Sequence, residues 1–211
     1  GNNWSALLPS ALKQSIEDGT WNGTNWMKES YNKAAPVQNH AINLTGGGEA
    51  SKFSLGFSYA SQEGIFGKPV ESNYGRYTAR VNSDHVLLKV RDFDAIKIGE
   101  TLNYSYSTKS GVSTGNIYWN SIHSLLTANP LMPLYDENGD YYDYYAKQRN
   151  GWNYDASAAN PIANTALSSQ GLNLSKSHNL QASAYVQIQP IKNLIFKSQF
   201  GYKMSANTYR S

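Results

Sequence analysis

Residues Lys52 to Gly64 read KFSLGFSYASQEG. Phe53, Leu55, Phe57 and Tyr59 alternate with Ser54, Gly56, Ser58 and Ala60. Successive side chains of a strand point to opposite faces, so the pattern predicts a β-strand with one oily face and one small, polar face. The chain as a whole is hydrophilic, with a mean hydropathy of -0.55. The segment therefore poses a question: what covers the oily face?

The same period of two recurs on both sides of it. Upstream, His40, Ile42 and Leu44 alternate with Asn39, Ala41 and Asn43, and the run Gly46-Gly47-Gly48-Glu49 predicts a tight turn between the two strands. Downstream, Tyr77, Ala79 and Val81 alternate with Thr78, Arg80 and Asn82. A short connection, LLKVRDFD, leads to the longest alternation. There Ile96, Ile98, Leu102, Tyr104 and Tyr106 oppose Lys97, Gly99, Thr101, Asn103 and Ser105, with Glu100 out of place on the oily parity. Near the end, Leu180, Ala182, Ala184, Val186 and Ile188 oppose Gln181, Ser183, Tyr185 and Gln187. After a turn at Pro190 to Asn193, Leu194, Phe196, Phe200, Tyr202 and Met204 oppose Ile195, Lys197, Gln199, Gly201 and Lys203.

Residues 1–36 read as a helical and irregular lead-in. Pro9 suits a first turn, Leu8, Leu12 and Ile16 recur every fourth residue, and Gly19 can end that helix. A second short helix is expected from Asn25 to Lys33, ahead of Pro36. Residues 37–211 then form a strand region interrupted by a long loop, 109–176. That loop holds one helix-like piece, IYWNSIHSLLTANP, with Ile122, Leu125 and Leu126 on one side and Pro130 at its end.

Six strands result, joined by connections that alternate between short and long. Transmembrane barrels have short turns at one end and long loops at the other. The expected fold is thus all-β, an antiparallel up-and-down meander supplying about six strands of a large transmembrane β-barrel. Short helices fall in the lead-in and in the long extracellular loop. The oily parity then meets lipid, and Tyr59, Tyr104, Tyr106 and Tyr202 belong to an interfacial aromatic girdle. A soluble antiparallel sheet with one face on a core gives the same alternation.

The totals exclude several classes. No window reaches about 18 consecutive apolar residues, which rules out a membrane helix but not a barrel strand. Net charge is +3, and the 18 basic residues form no stripe of the kind a nucleic acid requires. With no cysteine there is neither a disulfide framework nor a thiolate metal site. His40, His85, His123 and His178 lie far apart without metal-ligand spacing, and no phosphate loop is present. No catalytic residue, metal or cofactor is expected, and the protein does not read as an enzyme. The sequence starts at Gly1 without Met and shows no basic or apolar leader region, and it is expected to be a piece of something longer.

The run NWMKESYNKAAPVQNHAINLTGGGEASKFSLGFSYASQEGI resembles the early barrel region of SusC/RagA-like TonB-dependent outer-membrane transporters of Bacteroidota. The resemblance rests on Trp26, the run Ala35 to His40, Gly46-Gly47 and Gln62-Glu63-Gly64-Ile65. It continues through Tyr74 to His85, Ile98-Gly99, Ala128 to Gly139 and Asn160-Pro161-Ile162-Ala163, spanning most of residues 20–211 in order. It implies a bacterial outer-membrane location and a role in oligosaccharide (glycan) or peptide uptake. The implied partners are a SusD-like surface lipoprotein, the TonB complex acting through another part of the parent protein, and outer-membrane lipid. No plug domain and no TonB-interacting segment is recognisable here, so transport is expected of the parent protein.

Within that picture, the segment forms wall and extracellular mouth. The loop LYDENGDYYDYYAKQRNGWNYD concentrates Tyr135, Tyr141, Tyr142, Tyr144, Tyr145, Trp152 and Tyr154 among carboxylates and amides. Aromatic faces with a few convergent polar groups suit a ligand such as a sugar. The same rings equally suit packing of the loop or contact with a partner. Asp136, Glu137 and Asp140 surround an Asn138-Gly139 turn and lack the burial that a hydrolytic carboxylate pair needs. Arg80, Lys97, Asn103, Gln181 and Gln187 are expected to face the lumen. The competing readings are a soluble, secreted β-sandwich carbohydrate-binding module and a surface adhesin. A barrel fragment is also expected to self-associate through its strand edges.

Overall fold

A computed structural model describes residues 10–70, 72–112, 116–118, 120–136, 138–143, 159–168 and 173–210. The chain divides into two compact units. One comprises residues 1–34, 64–72 and 111–173, and the other residues 35–63, 73–110 and 174–211.

The second unit is a sheet of β1 (Val37–Gly47), β2 (Ser51–Glu63), β3 (Asn73–Val90), β4 (Phe93–Ser110), β5 (Leu174–Ile191) and β6 (Leu194–Arg210). Each strand pairs antiparallel with its sequence neighbour, in the order β1-β2-β3-β4-β5-β6. The short connections are tight. Gly48 N donates to Ser51 O at 2.7 Å across the first. The other two are the two-residue turns Arg91–Asp92 and Lys192–Asn193, in which Arg91 and Asn193 adopt positive φ. Strand β3 thus runs well into the segment expected to be a connection. Lys192 Nζ donates to Asp92 Oδ2 at 2.5 Å and links the two turns.

Register fixes which residues share a face. Leu44, Leu55, Val81, Leu102, Ala182 and Tyr202 form one row across all six strands, and Ile42, Phe57, Ala79, Tyr104, Leu180 and Met204 form the next. Many of these side chains are uncovered: Ile42 is 73% and Phe57 54% exposed. Burying one such side chain stabilises by about 1.5–3 kcal/mol, so a face of this kind is a surface awaiting contact.

Glu100, on the oily parity, has a local explanation. Ser83, opposite it on β3, is buried and donates to Glu100 Oε1 at 2.9 Å. His85 bridges Ser83 Oγ and Ser51 Oγ, each at 3.0 Å. A hydrogen-bonded polar row therefore interrupts the apolar face.

The sheet is open. Among the described residues, strand β1 pairs only with β2 and β6 only with β5, whereas a barrel closes by pairing its first and last strands. The expectation of a stretch of a large transmembrane β-barrel is corrected accordingly: the fold is an open, six-stranded antiparallel meander. Alternation reports that a strand has two unlike faces. It does not report how a sheet curls or what meets its edges. No helix among the described residues is long and apolar enough to cross a membrane.

The first unit holds α1 (Ser10–Glu17), α2 (Trp26–Ser30), α3 (Ser121–Thr127) and α4 (Pro161–Ser168). Its core is Trp26, Leu125, Met132, Tyr142 and Ile162. Asn side chains start three of the helices. Asn25 Oδ1 accepts from Lys28 N at 3.0 Å, and Asn120 Oδ1 from His123 N at 2.8 Å. Asn160 Oδ1 accepts from Ile162 N at 3.2 Å and Ala163 N at 3.1 Å. Such caps satisfy amides that lack an intrahelical partner. Helix α2 stops at Ser30, short of the expected Lys33, and α4 was not foreseen. In α3, Leu125 is buried but Leu126 is exposed, so the apolar stripe is narrower than its sequence suggests.

Candidate functional site

Two places carry the residues singled out by sequence, one in each unit. The first is the polar face of the sheet. Arg80, Asn103, Gln181 and Lys203 stand in one row across β3 to β6, and Asn82, Thr101, Ser183 and Gly201 in the next. Lys97 pairs with Gln187 and lies on the same face. The register thus brings Arg80, Lys97, Asn103, Gln181 and Gln187 onto one surface. Lys97 Nζ is engaged by Asp94 Oδ2 at 2.7 Å. A groove of about 580 Å³ is lined by Arg80, Asn103, Gln181 and Lys203 with their neighbours. Asn103 Oδ1 is enclosed and has no hydrogen-bond partner among the described residues.

Farther along this face, Tyr185 hydroxyl donates to Asp84 Oδ1 at 2.5 Å. Lys197 Nζ lies 4.0 Å from the centre of the Tyr185 ring, a cation–π contact.

The opposite face carries an aromatic row that single-strand patterns could not reveal. His40, Tyr59, Tyr77, Tyr106 and His178 are register partners across β1 to β5. Ring centres are 4.8 Å apart for Tyr59–Tyr77 and 4.7 Å for Tyr106–His178. Tyr104 hydroxyl and His178 Nδ1 are 2.8 Å apart. Tyr59 and Tyr106 belong to the row, Tyr104 borders it, and Tyr202 lies in an aliphatic row instead.

The second place is the aromatic loop. Tyr135 and Tyr141 form an antiparallel bridge and stack with ring centres 5.4 Å apart and planes 21° apart. Tyr135 is 51% exposed. Tyr142, one residue on, is 6% exposed and belongs to the core. Desolvation, and then the adjacent Tyr135, push the Tyr141 hydroxyl above the usual tyrosine range. Between the stacked rings, Asp136 Oδ1 accepts from Asn138 N at 2.8 Å and Asp140 N at 3.1 Å. The Asp136 carboxylate therefore holds the turn, and Gly139 supplies its positive φ. Tyr144, Tyr145, Trp152 and Tyr154 lie outside the described residues. Among the described residues no His, Asp and Glu group could hold a metal ion.

Sequence reasoning missed the supports of this loop. Trp26 Nε1 donates to Asn129 O at 3.0 Å, Thr24 hydroxyl to Met132 O, and Asn160 Nδ2 to Leu134 O at 3.0 Å. The signal for Asn160 was present: an Asn cap followed by Pro at the first helical position.

No family model matches the chain, and no curated protein matches it. Solved structures do. The chain is similar to the RagAB peptide importer in its closed-closed state, with a TM-score of 0.60 and 22% identity. It is similar to the same importer in its open-open state (TM-score 0.60, 21% identity) and to the RagAB peptide transporter (TM-score 0.59, 20% identity). In each case 88% of this chain is covered and 19% of the other, so this chain spans about a fifth of the length of those it matches. At such identity the likeness is one of fold.

Proposed function

We propose that this chain is part of a TonB-dependent outer-membrane nutrient importer of the SusC/RagA type. Its sheet contributes wall and its first unit contributes to the extracellular mouth. The observation that carries this reading is the separation of the two faces. One bears exposed Leu, Ile and Phe rows bordered by the His40–Tyr59–Tyr77–Tyr106–His178 row, and the other bears small, amide and cationic side chains. An apolar band flanked by ring-bearing residues suits a membrane and its interface. The fold likeness to RagAB supports the same reading.

In this reading the polar face, with Arg80, Lys97, Asn103, Gln181 and Gln187, borders an aqueous path. Tyr135 and Tyr141 offer stacked rings to a glycan or peptide at the mouth, or to a SusD-like lipoprotein that delivers it. TonB coupling belongs to the whole importer. The role is capture and passage, without chemistry on the ligand. A β-sandwich module is not favoured, since all six described strands lie in one sheet with no second sheet opposite.

Fractionation of cells that make the protein tests the proposal. The chain is expected in the outer membrane, resistant to carbonate and urea, and its deletion should abolish uptake of a peptide or oligosaccharide. Recovery in the soluble fraction, with uptake intact in the deletion strain, would overturn it.

A further inference from the structure

Net charge is modest for the chain as a whole, but most of the strand cations share one face, with Lys176 and Arg210 on the other parity. Lys52, Arg76, Arg80, Lys109, Lys197 and Lys203 all fall on the polar parity, together with the Asp94-paired Lys97. Among the described strand residues of that parity a single carboxylate, Asp84, opposes them, and it already accepts the Tyr185 hydroxyl. Arg80 and Lys203 have no ion-pair partner among the described residues.

Arg80 and Lys203 stand on either side of the groove, three strand spacings or about 14 Å apart. Between them lies a neutral floor of Asn82, Thr101, Asn103, Gln181, Ser183 and Gly201. An ideal Cβ on Gly201 would meet nothing within 4 Å, so the floor is open above that residue. The enclosed, unpartnered Asn103 Oδ1 lies in the same floor. An acceptor left unmade in this way is unfavourable, and a ligand N–H or O–H would relieve it.

We propose that this groove binds carboxylate-bearing oligomers, with Arg80 and Lys203 each holding a carboxylate and Asn103 accepting a hydrogen bond from the ligand between them. In an extended peptide, side chains four residues apart on one side are separated by about 13 Å, which matches the two cations. Guanidinium and ammonium groups both take carboxylates through charge-assisted hydrogen bonds. The shared chemistry is a carboxylate with a hydrogen-bond donor nearby, found in acidic peptides and in uronic-acid glycans alike. The inference rests on the polar face being the wet one.

The test uses the 211-residue chain in detergent micelles, which cover the apolar face. It is titrated calorimetrically with hexaglutamate and with hexagalacturonate, beside the neutral hexaserine and maltohexaose. At least one acidic oligomer should bind, and its neutral counterpart at least tenfold more weakly. Which of the two binds separates peptide from glycan. Arg80→Gln with Lys203→Gln should lower affinity at least tenfold. Gly201→Leu should do the same without altering charge, while Lys197→Gln, on the same face but outside the groove, should stay within twofold of the unmodified chain. Absence of binding by both acidic oligomers, equal binding of a neutral one, or an equal loss in Lys197→Gln would each overturn the inference. None of these readouts depends on where the protein resides in the cell, so the inference and the importer proposal fail separately.

Discussion

Tyr185 on β5 reaches Asp84 on β3, two strands away, by passing over Gly99 of the strand between them. A Cβ at Gly99 would lie 2.2 Å from Tyr185 Cε1 and 2.5 Å from Asp84 Oδ1. Gly99→Ala should therefore expel the ring and break the hydrogen bond, at a cost of about 1.5–3 kcal/mol, the range for a bond to a charged group. Tyr185→Phe alone should cost less, about 1 kcal/mol, because water can serve the exposed Asp84. Denaturant midpoints in detergent read both. Once Gly99→Ala is present, Tyr185→Phe should cost almost nothing; additive losses would mean that the glycine and the tyrosine are not coupled.

The Tyr135–Tyr141 stack gives a pH signature. The Tyr141 hydroxyl titrates above the usual range, first through desolvation and then through Tyr135. A group whose pKa is raised by folding binds its proton more tightly in the folded state. Its contribution is complete below the unfolded tyrosine value and is lost as pH climbs through the folded one. Absorbance at a tyrosinate wavelength, as a difference between the unmodified chain and Tyr141→Phe, should show a late-titrating tyrosine. A difference curve centred on the ordinary tyrosine value would refute the assignment.

The loop core depends on Met132 and Asn160. Met132 is 0% exposed, and truncating a buried Met to Ala costs about 2–5 kcal/mol. Asn160→Ala removes the α4 cap and the bond to Leu134 O, for about 1–2 kcal/mol. Amide exchange should accelerate across residues 121–143 in both variants, and in β1 to β6 it should not change.

The free edges predict association. Outward-facing backbone groups on an unpaired strand are templates for pairing, and β1 and β6 are exposed along their whole lengths. Sedimentation in detergent should show a concentration-dependent dimer, with amide protection rising along residues 38–46 and 195–209. A monomer at all concentrations, with those amides unprotected, would show that the edges are blunted.

Strand positions were legible because the period of two repeats without loss over Phe53–Tyr59 and Leu180–Ile188, and with the single exception of Glu100 over Ile96–Tyr106. Alternation measures the contrast between two faces, and here that contrast is strong. The openness of the sheet was not legible, because closure is decided by curl and edge partners that leave no mark within one strand. Glu100 looked anomalous for a related reason: its partner Ser83 is a register neighbour 17 residues away in sequence. The aromatic row escaped for the same cause, since His40, Tyr77 and His178 meet only through pairing. In the loop, Tyr142 was grouped with its neighbours by composition, while packing buries it in the core, sets Tyr141 against that core and leaves Tyr135 exposed.

The claim on which the account turns is that the oily face of the sheet is built for hydrocarbon. The chain has no cysteine, so single cysteines placed in turn at residues 53 to 58 can carry a fluorophore without background. In vesicles, quenching by nitroxide on lipid acyl chains should alternate, strong at Phe53, Leu55 and Phe57 and weak at Ser54, Gly56 and Ser58, with a soluble quencher giving the opposite phase. If Phe53, Leu55 and Phe57 instead prove shielded from both quenchers, their side chains are covered by protein and the account is wrong.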